Sequence, residues 1–311
     1  MEKLTKKLKD NIEGVKAVLS AEDILVYEFL TGDGTECAIV YTDGMVDKAL
    51  LGDLAARPLS KLTPENKEKG FTLEEVKQTL LFPELKEETQ LQNIFAEVLD
   101  GNSLLLVDGL ETGLIVGAKL LPTRAVMEPP TDIAVKGPRE GFIEDIKTNM
   151  ALLRKRLKTP DLKFELQKAG KRSQTNIAIC YLDGICDEKV KKEVAARIGE
   201  IDIDCIPDSS YVAAFIAPRK HSIFREVGTT EKPDILAAKM AEGRVGILVD
   251  GSPIALTVPF ILTEDFQSSE DYFVSPFMAT IFRAIRFLAI LIALLLPAFY
   301  VTSQLFKMQL I

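Results

Sequence analysis

The chain reads as an α/β protein: two related mixed-sheet subdomains joined by a Pro-rich linker and helix, followed by a C-terminal transmembrane helix. Three observations predict this. The first is a duplication: Ala38-Ile39-Val40-Tyr41-Thr42-Asp43-Gly44 is matched by Ala178-Ile179-Cys180-Tyr181-Leu182-Asp183-Gly184, and Leu106-Val107-Asp108-Gly109 by Leu248-Val249-Asp250-Gly251. The matches stand 140 (183 − 43) and 142 (250 − 108) positions apart, and Ala96 through Gly101 lines up with Ala238 through Gly243. Two copies are too few for a solenoid, so they read as two related units. The second is that apolar strand-like runs alternate with helical periodicity in each copy. The third is the run 287–306, which holds no charged residue. As a helix it reaches about 30 Å, the thickness of a bilayer's hydrocarbon core.

Taken in order, residues 1–121 form the first subdomain. Ile24 to Phe29 is a strand, Gly32-Asp33-Gly34 a turn and Cys37 to Tyr41 a second strand. A helix, the apolar strand Leu104 to Val107 and an Asp-Gly turn close the unit. Residues 122–159 are the connector. Pro122, Pro129, Pro130 and Pro138 fix φ and remove donors, which suits a semi-rigid linker. Phe142, Ile146, Met150, Leu153 and Leu157 then recur at helical spacing and make one apolar stripe. Lys147, Arg154, Lys155, Arg156 and Lys158 lie on the other face, which reads as solvated; an acidic partner or anionic lipid headgroups is the sharper alternative.

Residues 160–268 form the second subdomain. Leu162 to Leu166 and Asn176 to Tyr181 are strands around a polar loop of Gly170, Lys171 and Arg172. Val190, Val194 and Ile198 mark a helix, the alternating Ile201-Asp202-Ile203-Asp204 a strand, and Ile247 to Val249 a buried strand. The Asp-Gly pairs are turn chemistry, with Gly supplying positive φ. Residues 269–311 are a juxtamembrane segment and the transmembrane helix, spanning about 287–306, with Arg283 and Arg286 before it and Lys307 after. Pro297 is tolerable within such a span.

Composition excludes several classes of function. With 38 Lys and Arg against 46 Asp and Glu, the net charge is −8, which argues against a nucleic-acid binder. Cys37, Cys180, Cys186 and Cys205 are scattered and read as small apolar core residues in a reducing compartment. The N-terminus has lysines but no apolar signal segment, and Arg283 with Arg286 favours a cytoplasmic N-terminal part. Gly113 to Lys119 lacks the Gly-Lys-Ser/Thr ending of a phosphate loop. Asp202, Asp204 and Asp208 lack the glycine and terminal Glu of a calcium loop. His221 sits in a polar loop without an obvious nucleophile. No enzyme, cofactor or metal site is expected.

The connector carries a more specific pattern: Glu128-Pro129-Pro130-Thr131-Asp132-Ile133-Ala134-Val135-Lys136-Gly137-Pro138-Arg139-Glu140-Gly141-Phe142, then Thr148-Asn149 and the basic helix with Arg154 and Arg156. Glu231-Lys232-Pro233-Asp234, Glu242-Gly243-Arg244-Val245, Val249-Asp250-Gly251 and Val258-Pro259 follow. Gln267-Ser268-Ser269-Glu270-Asp271-Tyr272 precedes the apolar segment. In this order, over nearly the whole chain, these motifs resemble the A-subunit family of bacterial spore germination receptors.

The resemblance implies a two-subdomain cytoplasmic region followed by membrane helices, located in the spore inner membrane. It implies B and C subunits as partners, a response to small nutrients, and a homo-oligomer that conducts ions. It makes Glu128, Pro129, Lys136, Gly137, Pro138, Arg139, Glu140, Gly141, Phe142, Asn149, Arg154, Arg156, Gln267, Ser268, Glu270, Asp271 and Tyr272 the candidate motif and interface residues, and it supplies no catalytic residues. The pattern departs from the family in Phe306 to Ile311, where further membrane helices are expected. A fragment, a frameshifted remnant and a shortened accessory or defunct paralogue are the readings of that departure. A small-molecule binding module with its ligand between the subdomains is the alternative function.

Overall fold

The duplication folds as two copies of one antiparallel sheet. A computed structural model describes residues 3–64, 70–120, 138–219, 222, 224–266 and 274–305. The first half runs α1 (Leu8–Val18), β1 (Ile24–Leu30), β2 (Glu36–Thr42), α2 (Lys48–Leu51), α3 (Arg57–Leu59), α4 (Leu73–Thr79), β3 (Leu85–Glu88), α5 (Leu91–Leu99), β4 (Ser103–Val107) and β5 (Gly113–Val116). Its five strands lie in the order β1-β2-β4-β5-β3. The second half runs α6 (Ile146–Arg156), β6 (Leu162–Ala169), β7 (Thr175–Leu182), α7 (Glu188–Gly199), α8 (Ser209–Ile216), β8 (Gly228–Thr230), α9 (Pro233–Ala241), β9 (Val245–Val249) and β10 (Ala255–Val258). Its order, β6-β7-β9-β10-β8, repeats the first.

Register repeats as well: Cys37 opposes Val107 in the first sheet, and Ile177 opposes Val249 at the matching place in the second. Every described strand pairing is antiparallel, where the sequence reading expects mixed sheets. The reason lies in the connections. Short turns join β1 to β2 and β4 to β5, and a tight turn sets its flanking strands antiparallel.

Each sheet is buried on both faces, which is why its central strands read as continuous apolar runs. Successive side chains alternate across the sheet. In the first half, Cys37, Ile39, Leu105 and Val107 pack beneath Leu51, Leu59 and Val76 on one face. Ala38, Val40, Leu104 and Leu106 pack against α1 and α5 on the other. In the second half, Ile177, Ile179, Ile247 and Val249 meet Val194, Ile198 and Val212 of α7 and α8. Ala178, Cys180 and Leu248 meet Met150 and Leu153 of α6 and Leu236 and Met240 of α9.

Two further expectations are corrected. Ile201 to Asp204 is not a strand. Its carbonyls accept from the β6–β7 loop, Ile203 from Lys171 N–H and Asp204 from Arg172 N–H, both at 2.8 Å. The alternation arises because Ile201 and Ile203 turn onto the core while Asp202 and Asp204 face water. Of the cysteines, Cys37 and Cys180 are buried, but Cys186 is half-buried and Cys205 exposed.

After a short 3-10 turn (Leu262–Phe266), α10 (Pro276–Leu305) runs for 30 residues. It starts before the uncharged run and takes Arg283 and Arg286 into the helix. Its stretch Pro276–Gln304 is long and apolar enough to cross a membrane, and its most apolar window is not buried against the rest of the chain. Phe287, Leu291, Leu294 and Leu295 lie open. Hydrocarbon is the medium that suits such a surface.

Candidate functional site

One bracing device occurs twice and defines how each half begins. Asn11 is buried on α1; its amide donates to Thr5 O at 2.6 Å and its carbonyl accepts from Thr5 N–H at 2.8 Å. Asn149, buried on α6, does the same to Ile143, at 2.5 and 2.9 Å. A buried amide satisfied this way fixes the chain entering the helix. The duplicated Asp-Gly turns complete the device. Asp108 Oδ1 accepts from Leu8 N–H at 2.9 Å at the start of α1, and Asp250 Oδ1 from Ile146 N–H at 3.4 Å at the start of α6. Gly109 N–H and Gly251 N–H then donate to Lys6 O and Glu144 O, both at 2.8 Å. Gly109 and Gly251 have φ of 90° and 81°, so the turn chemistry expected of these pairs holds, and their Asp side chains also cap helices.

The halves meet where this equivalence ends. Arg154 is 1% exposed and Asp23 2% exposed. Arg154 Nε and Nη2 donate to the two carboxylate oxygens of Asp23 at 2.9 and 2.8 Å. Nη1 donates to Thr159 O at 3.0 Å, and the guanidinium lies 5.1 Å from the centre of the Phe164 ring. The guanidinium therefore has a fork-to-fork partner, a carbonyl and an aromatic face, the company a buried arginine requires. Burial pushes the Asp23 carboxyl above its ordinary value, and the Arg154 charge and hydrogen bonds pull against that rise. Removing either member would strand the other in the interior.

Around this pair lies a ring of weaker links. Lys163 Nζ donates to Val18 O at 3.1 Å and to Ser20 Oγ at 3.0 Å. Lys147 Nζ pairs with Asp43 at 3.0 Å, and Lys158 with Asp100. The Asp43-Gly44 turn lies against α6 so closely that a Cβ on Gly44 would come within 3.0 Å of Lys147 O and 3.3 Å of Ala151 Cβ. Burial alone would raise the Asp43 carboxyl, but hydrogen bonds from Lys48 and Lys147 outweigh it and hold the group below its ordinary value. Asp100 is lowered in the same way against its own burial, by Lys119 and Lys158.

The solvated face expected for α6 thus holds only in part: Arg154 is sealed from water, whereas Lys147 and Lys158 remain 61% and 52% exposed while making their ion pairs. Their partners are acidic residues of this same chain, because the first half packs directly on that face. Lys155 and Arg156 turn the other way, to Glu140 at 2.8 and 2.9 Å. Of the candidate residues, the structure brings Glu140, Arg156, Asn149 and Arg154 onto or beside α6. Phe142 is buried with Ile146, Met150 and Leu153, and its N–H donates to Glu231 O at 2.7 Å. Gly141 is buried, Pro138 half-buried and Arg139 exposed. Glu128, Pro129, Lys136, Gly137, Gln267, Ser268, Glu270, Asp271, Tyr272 and also His221 lie outside the described residues. Asp23, Asp100 and Lys163 were not singled out from the sequence, and Asp43 was read only as turn chemistry. Aligning the copies places Lys16 where Arg154 stands and Asp161 where Asp23 does.

A cavity of about 180 Å³ lies on the first half, lined by Leu8, Glu28, Phe29, Leu30, Glu36 and Cys37. It is not between the halves, where a ligand is expected under the binding-module reading. No group of His, Cys, Asp and Glu able to hold a metal occurs among the described residues.

Comparison with known proteins assigns the fold to a family. Residues 10–311 match the family described as Bacillus/Clostridium GerA spore germination protein. Spore germination protein KA of Bacillus subtilis (strain 168) is 35% identical over 306 residues, covering 97% of this chain and 56% of that protein. Spore germination protein B1 of the same organism is 33% identical, covering 95% of this chain and 61% of its own length. The crystal structure of the N-terminal domain of the A subunit of the Bacillus megaterium spore germinant receptor GerK3 superposes with a TM-score of 0.63 at 30% identity, covering 83% of this chain and 98% of that one. The chain spans little more than half the length of the curated relatives it matches. It belongs to the GerA spore germination protein family.

Proposed function

We propose that this chain acts as the A subunit of a nutrient-sensing spore germination receptor, its two-half domain coupling germinant detection to a membrane-embedded assembly. The observation that carries the proposal is the pairing of a fold shared with a germinant receptor's A-subunit domain and an uncovered 30-residue apolar helix in one chain. The partners are B and C subunits and further copies of the A subunit, together forming an ion-conducting oligomer in the spore inner membrane. Arg283 and Arg286 favour placing the large N-terminal part on the cytoplasmic side. Domain limits at 121, 159 and 268 are proposed as the borders of first subdomain, connector and second subdomain. The motif residues in the connector and before α10 are proposed to hold this arrangement and to meet partner subunits.

Deletion of the gene in sporulating cells tests the proposal. Loss of the response to at least one nutrient, with B and C subunits co-purifying with the tagged protein from spore membranes, is the expected result. Normal germination with every nutrient tried would remove the support for a receptor role.

A further inference from the structure

In its ion pairs the joint between the two halves is a head-to-tail contact, and each half keeps most of one of its two surfaces exposed. In the joint, the first half offers the end of its sheet, with Asp23, the Asp43-Gly44 turn and Asp100. The second half offers the outward side of α6, with Lys147, Ala151, Arg154 and Lys158. The bracing asparagines align α1 with α6, so Lys9 stands where Lys147 does, Glu13 where Ala151 does and Lys16 where Arg154 does. On the sheet ends, Asp161 stands for Asp23, Asp183 for Asp43, Gly184 for Gly44 and Glu242 for Asp100. The equivalence is structural as well as sequential: Asp43 N–H donates to Asp23 O at 2.7 Å, and Asp183 N–H to Asp161 O at 2.8 Å.

All of these second-surface residues are exposed: Lys9, Glu13 and Lys16 on α1, and Asp161, Asp183, Gly184 and Glu242 on the second half. Nothing lies within 4 Å of a Cβ built on Gly184, and Ile185 is 54% exposed where its counterpart Met45 is 1% exposed. A two-fold joint would pair Lys16 with Asp161 and Lys9 with Asp183 inside one chain. Among the described residues neither pair forms. The ion pairs of the joint therefore run one way only, although Lys163 beside Asp161 also reaches Val18 O and Ser20 Oγ just past α1, and a one-way contact leaves a complementary face at each end.

We infer that these faces join copies of this chain: α1 of one molecule docks on the sheet end of the next molecule's second half, Lys16 facing Asp161 and Lys9 facing Asp183. This rests on the homo-oligomeric reading above and names its surface. The charges keep the signs they have in the internal joint, and the acidic face is the wrong sign for anionic lipid. Lys16 supplies one ammonium where Arg154 supplies a fork, and Glu13 replaces a buried alanine, so the contact between molecules is weaker and wetter than the one within. The surface also adjoins the route to α10. Val258 pairs with Val245 beside Glu242, and Arg244 Nη1 donates to Pro259 O at 3.0 Å. A docked neighbour thus lies next to the segment that leads to the membrane helix.

The test is zero-length carbodiimide cross-linking of the full chain in membranes, with isotope-light and isotope-heavy copies mixed. Species at multiples of 34.4 kDa are expected, with amide links joining Lys9 or Lys16 of one copy to Asp161 or Asp183 of another. Charge reversal on either side, K9E/K16E or D161K/D183K, should lower their yield about tenfold. Mixing the two variants should restore it, which also shows that both remain folded. Multimers indifferent to these reversals, or linked only elsewhere, would overturn the assigned surface and leave the homo-oligomer standing. A chain that stays monomeric in membranes would overturn both.

Discussion

The two halves of this protein differ least where each builds itself and most where they touch. Within each half the same asparagine, the same Asp-Gly cap and the same strand order recur at matching positions. Across the joint, Arg154 and Asp23 are sealed from water while their counterparts Lys16 and Asp161 stand in it. Duplication supplies two related units, and the buried pair, with the links around it, sits where one surface of each becomes interior. The buried pair's contribution is to orientation more than to net stability, because desolvation cancels much of the attraction.

Substitutions can break or sharpen this contrast. Arg154→Ala leaves Asp23 buried without its cation and should cost about 3–5 kcal/mol in urea denaturation, whereas Lys16→Ala should stay within about 0.5 kcal/mol. Equal losses would mean that the joint is not the point of asymmetry. Phe142→Asp places a charge in the apolar contact with Ile146 and Met150 and should cost on the order of a few kcal/mol. An unchanged melting temperature would show that the stripe does not support the second half.

The bracing devices, by contrast, should respond alike. Asn11→Ala and Asn149→Ala each remove a buried amide and free half-buried backbone groups, and should each cost about 1–3 kcal/mol. A loss confined to one would show that the copies have diverged inside as well as at the joint.

The smallest effect is in pH. Asp43 and Asp100 are held below their ordinary value of 3.8 when folded. Their stabilisation is therefore full above that value and is lost as pH falls through the lower folded values. Lys147→Ala and Lys158→Ala should flatten the acid limb of stability against pH by lowering neutral stability by the same small amount, within about 1 kcal/mol, while stability below the folded values stays unchanged.

Much of each half was legible because its signals are local. Apolar runs bounded by turn residues mark β1, β2, β6 and β7, the spacing of Ile146, Met150 and Leu153 marks the buried side of α6, and Asp-Gly marks the turns. Strand direction was less so, since apolar runs look alike in parallel and antiparallel sheets when both faces are covered. Ile201 to Asp204 imitates a strand because a loop lying on a core also alternates. The joint was the least visible part. Arg154 and Asp23 are 131 positions apart, and a lysine- and arginine-rich helix face is solvated unless another unit lies on it.

The measurement that bears most directly on this account is a double-mutant cycle on Asp23 and Arg154, read by reversible urea denaturation of the full chain in detergent. The account predicts that Asp23→Ala and Arg154→Ala are each strongly destabilising and that the double variant recovers at least about 2 kcal/mol of their sum. Simple additivity, within about 0.5 kcal/mol, would contradict it and show that the buried pair does not join the two halves.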